Sequence, residues 1–576
     1  MPAGSSRRPP RPRRRARAGG RPRSPFRAHP SRVRLLVGVA VVLLGLLAIR
    51  AVWLGTVRAG DLSARGVQQN RFEADLPAQR GSIQARNGAD LAIDRLAVDV
   101  TATPYLVTDP KGTAAQLGPA IERDPNELAN ALSQPGGYVV LARNVPPSLA
   151  DRAKKLDLAG IAFSDTWQRF YPGGPQASQL IGLTGDTHEG ISGVERELDE
   201  PLTGTPGHRV EVRDLLGNSI QMLEDREPVE GENVQLTIDP TIQDRVERTL
   251  AATREQYGAR SATGIVMDPR SGAVLAMATV PRFNPNRRTT INPALERNRP
   301  VTDTFEPGST FKVVTMAAAL EDRKVLPGTT FALPTTITRY DRTLRDAHER
   351  PAVTLSASEI LAQSSNIGTV LIAERVGAER LQAWIERFGF GSPTGIDFPG
   401  EVDGLVLPLE RWSGTSIINI PIGQGVGVTL AQLTRVYAAI ANGGRLVAPY
   451  LVDRVGGAPV EHPSGRQIMT RRTARTLDRM LRGVVSPDGT GSLAQVEGYQ
   501  VAGKTGTANK IDPETGEYSS LLYTSSFVGY VPANNPQLVI SVVVDEPGGG
   551  YYGGEVAAPA FEDIAAFSLQ TLNIAP

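Results

Sequence analysis

The stretch "LLVGVAVVLLGLLAIRAVWLG", residues 35–55, decides what the rest of the chain can become. Leu35 to Ile49 is an unbroken apolar run, and Trp53 stands at its far end. About 20 residues rising 1.5 Å each span the hydrocarbon core of a bilayer, with Arg50 snorkelling towards an interface. A run of roughly 15 strictly apolar residues also suits the core of a signal peptide. No small-x-small cleavage site follows, because "AIRAVWLGTVRAG" has Arg and Trp where small residues are required. An uncleaved transmembrane helix over residues 35–55 is therefore the expectation. Residues 1–34 carry twelve arginines and no acidic residue. That excess places the N-terminus in the cytoplasm and everything after residue 56 outside it.

The formal net charge of +2 hides this asymmetry. The tail "RRPPRPRRRARAGGRPR" lacks interleaved aromatic residues and any RNA or DNA motif. Residues 1–34 are read as a disordered basic cytoplasmic tail, with no nucleic acid as partner. The chain has no cysteine, which removes disulfides and thiolate zinc sites. Its five histidines, at 29, 188, 208, 348 and 462, show neither metal-ligand spacing nor a Ser-His-Asp arrangement. No metal and no cofactor is expected. Acyl transfer or hydrolysis here needs a base other than histidine.

Residues 56–225 mix strand-like runs ("LAVDVTAT", "YVVLAR") with helical ones ("AAQLGPAIERD", "PPSLADRAKKLDL"), often broken by Gly and Pro. This is an α+β region without an obvious site, and "EDREPVEGENVQ" marks its end. Residues 226–576 form a second α+β domain. Asp239 fits an N-cap and Pro240 the first helical position. "ATGIVMDP" and "GAVLAMATV" form a hairpin about "DPRSG", and "SSFVGYVP" and "QLVISVVVD" another about "ANNP", with "GYQVAGKTGTA" as the neighbouring strand. Helical stretches lie between these two groups of strands, so the expected core is one antiparallel sheet flanked by helices.

Within that domain "FEPGSTFKVV" places Ser309 three residues before Lys312, on one helix face. Pro307 and Gly308 put the serine in the first turn, where unpaired N–H groups and the helix dipole favour a developing oxyanion. The helix beyond is apolar almost all round, so Lys312 is expected inside, where desolvation lowers its pKa and frees it to take a proton. Ser-x-x-Lys alone is common by chance. Composition raises its weight, because the chain has seven lysines among 62 basic residues, and arginine cannot serve as a base. "LAQSSNIGT" adds Ser364, Ser365 and Asn366 in a turn, and "VAGKTGTAN" adds Lys504, Thr505, Gly506 and Thr507 on a sheet edge. Each has a bland reading as cap or turn residues. The order Ser-x-x-Lys, Ser-x-Asn, Lys-Thr-Gly is the signature of penicillin-binding proteins and serine β-lactamases.

The chain resembles the class B penicillin-binding proteins, the monofunctional peptidoglycan D,D-transpeptidases, over nearly its whole length after the tail. "RGSIQARNGADLA" and "GISGVERELDEPLTGTPG" resemble stretches of that family's pedestal or dimerisation domain, with Ala85 where the family usually has Asp. "GQGVGVTLAQLTRVYAAIANGG" and "YYGGEVAAPAF" resemble transpeptidase stretches. The resemblance implies a membrane anchor, an α+β pedestal over 56–225 and a penicillin-binding, serine β-lactamase-like transpeptidase domain over 226–576. It implies Ser309 as nucleophile and Lys312 as its base, with the N–H groups of Ser309 and Thr507 as oxyanion hole. Ser364 would relay a proton, Asn366 orient Lys312 and the donor peptide, and Lys504 add the positive charge that keeps Lys312 neutral and, with Thr505 and Thr507, hold the substrate carboxylate, Gly506 standing between those two in the substrate-binding strand. The carriers of each proton stay open among Lys312, Lys504 and Ser364. Implied partners are peptidoglycan stem peptides and their lipid-linked precursor, β-lactams as covalent inhibitors, and a SEDS-type glycosyltransferase with other division or elongation membrane proteins. The implied location is the bacterial cell membrane, single-pass. The single anchor and long basic tail favour the septal, FtsI-like type over an elongation enzyme. A β-lactamase would not carry the pedestal and anchor, whereas a D,D-carboxypeptidase would differ only in its acceptor, water. An idle division scaffold would not need the intact set of Ser309, Lys312, Asn366 and Lys504.

Overall fold

The computed structural model describes residues 30–213, 219–287, 291–512 and 514–576. The expected disordered tail lies, up to residue 29, outside the described residues. By contacts the chain divides into two units: residues up to 74 with 208–225, and residues 75–207 with 226–576.

In the first unit the apolar run is one helix, Pro30–Thr56, of 27 residues. At 1.5 Å per residue it is about 40 Å long, enough to cross a bilayer, and none of the residues in its apolar window is buried. It fits a single membrane anchor. The Arg58 guanidinium lies 5.0 Å from the Trp53 ring centroid, an aromatic and basic pair suited to an interface. Helix Ala59–Gln69 follows, then a three-stranded sheet in the order Arg71–Leu76, Gly207–Arg213, Ser219–Arg226.

The second unit holds residues 75–207 of the expected pedestal, whose residues 56–74 and 208–225 fall in the first unit, and the five-stranded sheet expected from the sequence. That sheet runs Val274–Val280, Ser261–Met267, Leu538–Asp545, Tyr518–Val531, Ala502–Ile511, with every pair antiparallel. Asp239 caps helix Pro240–Gln256 by accepting the N–H groups of Thr241 and Ile242. Helix Arg471–Val484 shows how the helices pack. Its buried residues are Thr473, Ala474, Leu477, Met480, Leu481 and Val484, one stripe at helical spacing, while its arginines take the other face. Helix Lys312–Glu321 has no such polar face and lies buried from Lys312 to Ala319.

A second sheet joins segments far apart in sequence. Ile83–Gln84 pairs antiparallel with Asp90–Ala102 and parallel with Val234–Leu236, which pairs in turn with Val452–Val455. Beside it the two pedestal motifs meet. Arg80 Nε donates to Glu195 Oε2 at 2.7 Å and its Nη1 to Asp199 Oδ1 at 2.7 Å, while Arg169 Nε donates to Glu195 Oε1 at 2.7 Å. Arg80, Arg169, Glu195 and Asp94 are buried, and truncating one partner of such a network strands the others' charge. Ala85 is fully buried and packs in the core instead of adding a charge.

Candidate active site

A short 3-10 turn, Gly308–Phe311, leads into the buried helix and carries Ser309 at its second position. Gly308 has φ +54°, and a Cβ there would lie 3.0 Å from the Thr507 carbonyl oxygen, so glycine lets the turn approach the edge strand. Gly506 does the same from the other side, since its Cβ would stand 2.8 Å from the Pro307 carbonyl. Two backbones in direct contact thus bring Ser309 and Thr507 to one place. The turn is fixed from behind by Tyr437, whose hydroxyl donates to the Thr310 carbonyl at 2.8 Å.

Lys312 is 1% exposed. Its Nζ donates to the Ser364 carbonyl at 2.5 Å, to Ser364 Oγ at 3.2 Å and to Asn366 Oδ1 at 2.7 Å. Ser309 Oγ makes no hydrogen bond to another described residue. The amine takes the Ser364 carbonyl and the Asn366 amide oxygen, and Ser309 is half-buried. Hydrogen bonds between nucleophile and base commonly tighten only once substrate is bound. Burial pulls the Lys312 pKa down to about 7, against an opposing pull upward from Asp346.

Ser364 sits in the left-handed region at φ +58°, a conformation that costs a non-glycine residue and persists where surroundings impose it. The next residue starts helix Asn366–Val376. Ser365 Oγ accepts the Gly368 N–H at 3.0 Å as N-cap. Asn366 Nδ2 donates to the Arg345 carbonyl at 3.1 Å, which fixes the amide so that Oδ1 faces Lys312.

Lys504 is fully buried, and its Nζ donates to the Thr505 carbonyl and Thr505 Oγ1, both at 3.2 Å. Burial first and the Lys312 charge second push its pKa well below the ordinary lysine value. Two buried amines in one field disfavour double protonation. Thr505 Oγ1 is 2.8 Å from Thr490 Oγ1, and Thr507 Oγ1 accepts the Gly553 N–H at 3.0 Å. The structure therefore brings the three motifs together: Lys312 bonds to Ser364 and Asn366, and the Gly308 turn lies against the strand that carries Lys504 and Thr507.

Asp346 was not singled out in the sequence, because "RDAHERP" reads as an ordinary loop. Its carboxylate accepts Ser365 Oγ at 3.1 and 3.0 Å and the Ile367 N–H at 3.0 Å, and pairs with Arg350 Nη2 at 2.6 Å. It holds the start of the helix that carries Asn366 and is the carboxylate that raises the Lys312 pKa. Asp346→Asn should therefore lower that pKa and move the acid limb of the acylation–pH profile to lower pH. The check is the acylation rate with a chromogenic β-lactam between about pH 5 and 9; an unmoved limb would remove Asp346 from this role. Aromatic rings were also missed. Tyr523 and Tyr551 stack at 4.4 Å between centroids, Tyr551 and Tyr552 lie 4.4 Å apart, and His348 meets Tyr552 at 4.8 Å. The last pair links the Asp346 loop to the loop whose Gly553 N–H meets Thr507.

Residues 262–566, more than half the chain, match the model of the penicillin binding protein transpeptidase domain, and residues 75–236 that of the penicillin-binding protein dimerisation domain. The chain belongs to the penicillin-binding proteins. Its two domains in this order are those of a class B penicillin-binding protein. Among relatives, the penicillin-binding protein PbpB of Mycolicibacterium smegmatis is 36% identical over 469 residues, 78% of this chain and 72% of that protein. The peptidoglycan D,D-transpeptidase FtsI of Escherichia coli is 34% identical over 566 residues, covering 95% and 92%. Among solved structures, penicillin binding protein 3 of Mycobacterium tuberculosis complexed with aztreonam superposes with a TM-score of 0.69 at 31% identity, covering 87% of this chain and 98% of that one. This penicillin-binding protein thus has the α+β architecture of the family, with an antiparallel sheet flanked by helices.

Proposed function

We propose that this penicillin-binding protein is a serine D,D-transpeptidase that cross-links peptidoglycan stem peptides, and that Ser309 is its nucleophile. The observation that carries this reading is the buried Lys312 amine, three residues after Ser309 and first in the helix that the Ser309 turn leads into, with a pKa near 7 and its orientation set by Ser364 and Asn366. Ser309 Oγ attacks the carbonyl between the last two D-alanines of a stem pentapeptide as Lys312 Nζ takes its proton. The Ser309 and Thr507 N–H groups hold the oxyanion. The C–N bond then breaks, the departing D-alanine amine takes a proton relayed by Ser364, and an ester remains on Ser309. Lys504, Thr505, Gly506 and Thr507 hold the terminal carboxylate by charge and hydrogen bonds. The amine of a neighbouring stem peptide attacks the ester, an amide cross-link forms, and the proton returns to Ser309 Oγ.

In this reading residues 1–34 are a cytoplasmic tail, 35–55 the membrane span, 56–225 the pedestal and 226–576 the transpeptidase domain outside the cytoplasm. The arginine excess before the span supports that topology. Similarity to FtsI supports a septal role beside a SEDS-type glycosyltransferase, and depletion should give filaments where an elongation enzyme would give round cells. The reaction itself is tested with a thioester donor and an acceptor amine such as a D-amino acid. Aminolysis product is expected. Free acid alone, at every acceptor concentration, would leave the D,D-carboxypeptidase reading in its place.

A further inference from the structure

Glu306 stands three residues before Ser309, and no motif reading gives it a task. Its carboxylate is half-buried and makes three contacts. Oε1 accepts the Gly425 N–H at 2.8 Å, and the Tyr518 hydroxyl donates to Oε1 at 2.8 Å and to Oε2 at 3.1 Å. These partners come from two different parts of the fold. Gly425 belongs to the loop whose Gly423 carbonyl also accepts the Gly308 N–H at 3.1 Å, so that loop grips the nucleophile turn at two points. Tyr518 opens the strand Tyr518–Val531, where it pairs with Ile511 of the strand that carries Lys504 and Thr507. Glu306 therefore ties the Ser309 turn to the open end of the hairpin that supplies the other half of the oxyanion hole.

A cavity of about 320 Å3, lined by Glu306, Phe305, Ala508 and Lys510 among others, adjoins it. The bonds to Gly425 and Tyr518 are its hydrogen-bonded anchors. An oxyanion hole built from Ser309 N–H on one element and Thr507 N–H on another depends on their separation to a fraction of an ångström.

We propose that Glu306 is a positioning residue for acylation: as a hydrogen-bond acceptor from Gly425 and Tyr518 it sets the spacing between the Ser309 turn and the Thr507 strand. The proposal rests on the acyl-enzyme reading above. It is tested on the full-length chain in detergent, by stopped-flow acylation with a fluorescent penicillin and thermal melting of the same samples. Glu306→Ala should lose about 10- to 30-fold in the first-order acylation step, with the dissociation constant of the initial complex and the melting temperature little changed. Glu306→Gln, which keeps an acceptor for Gly425 and Tyr518, should stay within about threefold of wild type. Tyr518→Phe, which deletes one exposed hydroxyl, should lose about three- to tenfold and decides the matter should the alanine variant not fold. Wild-type acylation rates in Glu306→Ala or Tyr518→Phe overturn the brace. So does a glutamine variant as slow as alanine, since charge would then be what matters. A wild-type chain that takes no label at all would instead sink the acyl-enzyme reading, and the brace with it.

Discussion

Ser309→Ala should abolish covalent labelling by a fluorescent penicillin and lower transpeptidation by at least about 10^4-fold, with the protein still folded. The size follows from the site's construction. In the proposed mechanism Oγ forms the ester, whereas the oxyanion donors are backbone N–H groups that survive the substitution. The variant should therefore still bind β-lactam non-covalently, and no slow covalent adduct should accumulate. The fold is spared because the Ser309 hydroxyl makes no hydrogen bond to another described residue, so its loss strands no buried partner. Gel fluorescence of boiled samples separates covalent from non-covalent label. A band on the alanine variant that survives boiling would move the nucleophile elsewhere.

Lys312→Arg should cost about 10^3-fold in acylation although charge and length are nearly kept. A guanidinium stays protonated and cannot accept the Ser309 proton. It also brings a planar fork to a niche shaped for a single nitrogen between Ser364 and Asn366. In the wild-type protein acylation should rise about tenfold per pH unit below neutrality and level off above about pH 7, where burial has brought the Lys312 pKa. That burial is paid in stability. The unfolded chain holds the Lys312 proton up to a pKa of 10.5 and the folded chain only to about 7, so between these values the unfolded state binds more protons and stability rises with pH. Below about pH 7 the full cost remains, roughly 5 kcal/mol by the size of the shift, part of it offset elsewhere in the fold. A flat acylation profile from pH 5 to 9 would argue that another group takes the proton.

The candidate site's groups, which the structure places near one another, were legible in the sequence because each lies in a short stretch and the three stretches occur in a set order. Ser309 and Lys312 share a helix face, and a scarce lysine in an arginine-rich chain stands out. The supports could not be read. Asp346 meets Ser365 through a loop with no pattern of its own, and Glu306 meets Tyr518 across 212 residues of chain. Such contacts depend on how loops close, which local periodicity does not encode. The same holds for the fold. Both hairpins and the edge strand of the large sheet follow from alternation and turn residues, and Asp239 and Pro240 mark the start of their helix as expected. The pairing of Ile83–Gln84 with Val234–Leu236 did not follow, because a two-residue strand carries too little pattern to be seen.

That pairing also orders events during synthesis. The sheet cannot be completed until Val452–Val455 exists to flank Val234–Leu236, whose other neighbour, Ile83–Gln84, was made some 150 residues earlier. Closing loops of that length costs entropy before any contact rewards it, and contacts so distant in sequence form late. The pedestal therefore waits, with one edge unpaired, for a strand encoded far inside the catalytic domain. A chain cut short before residue 452 should be prone to aggregate and to degradation rather than persist as a free-standing pedestal.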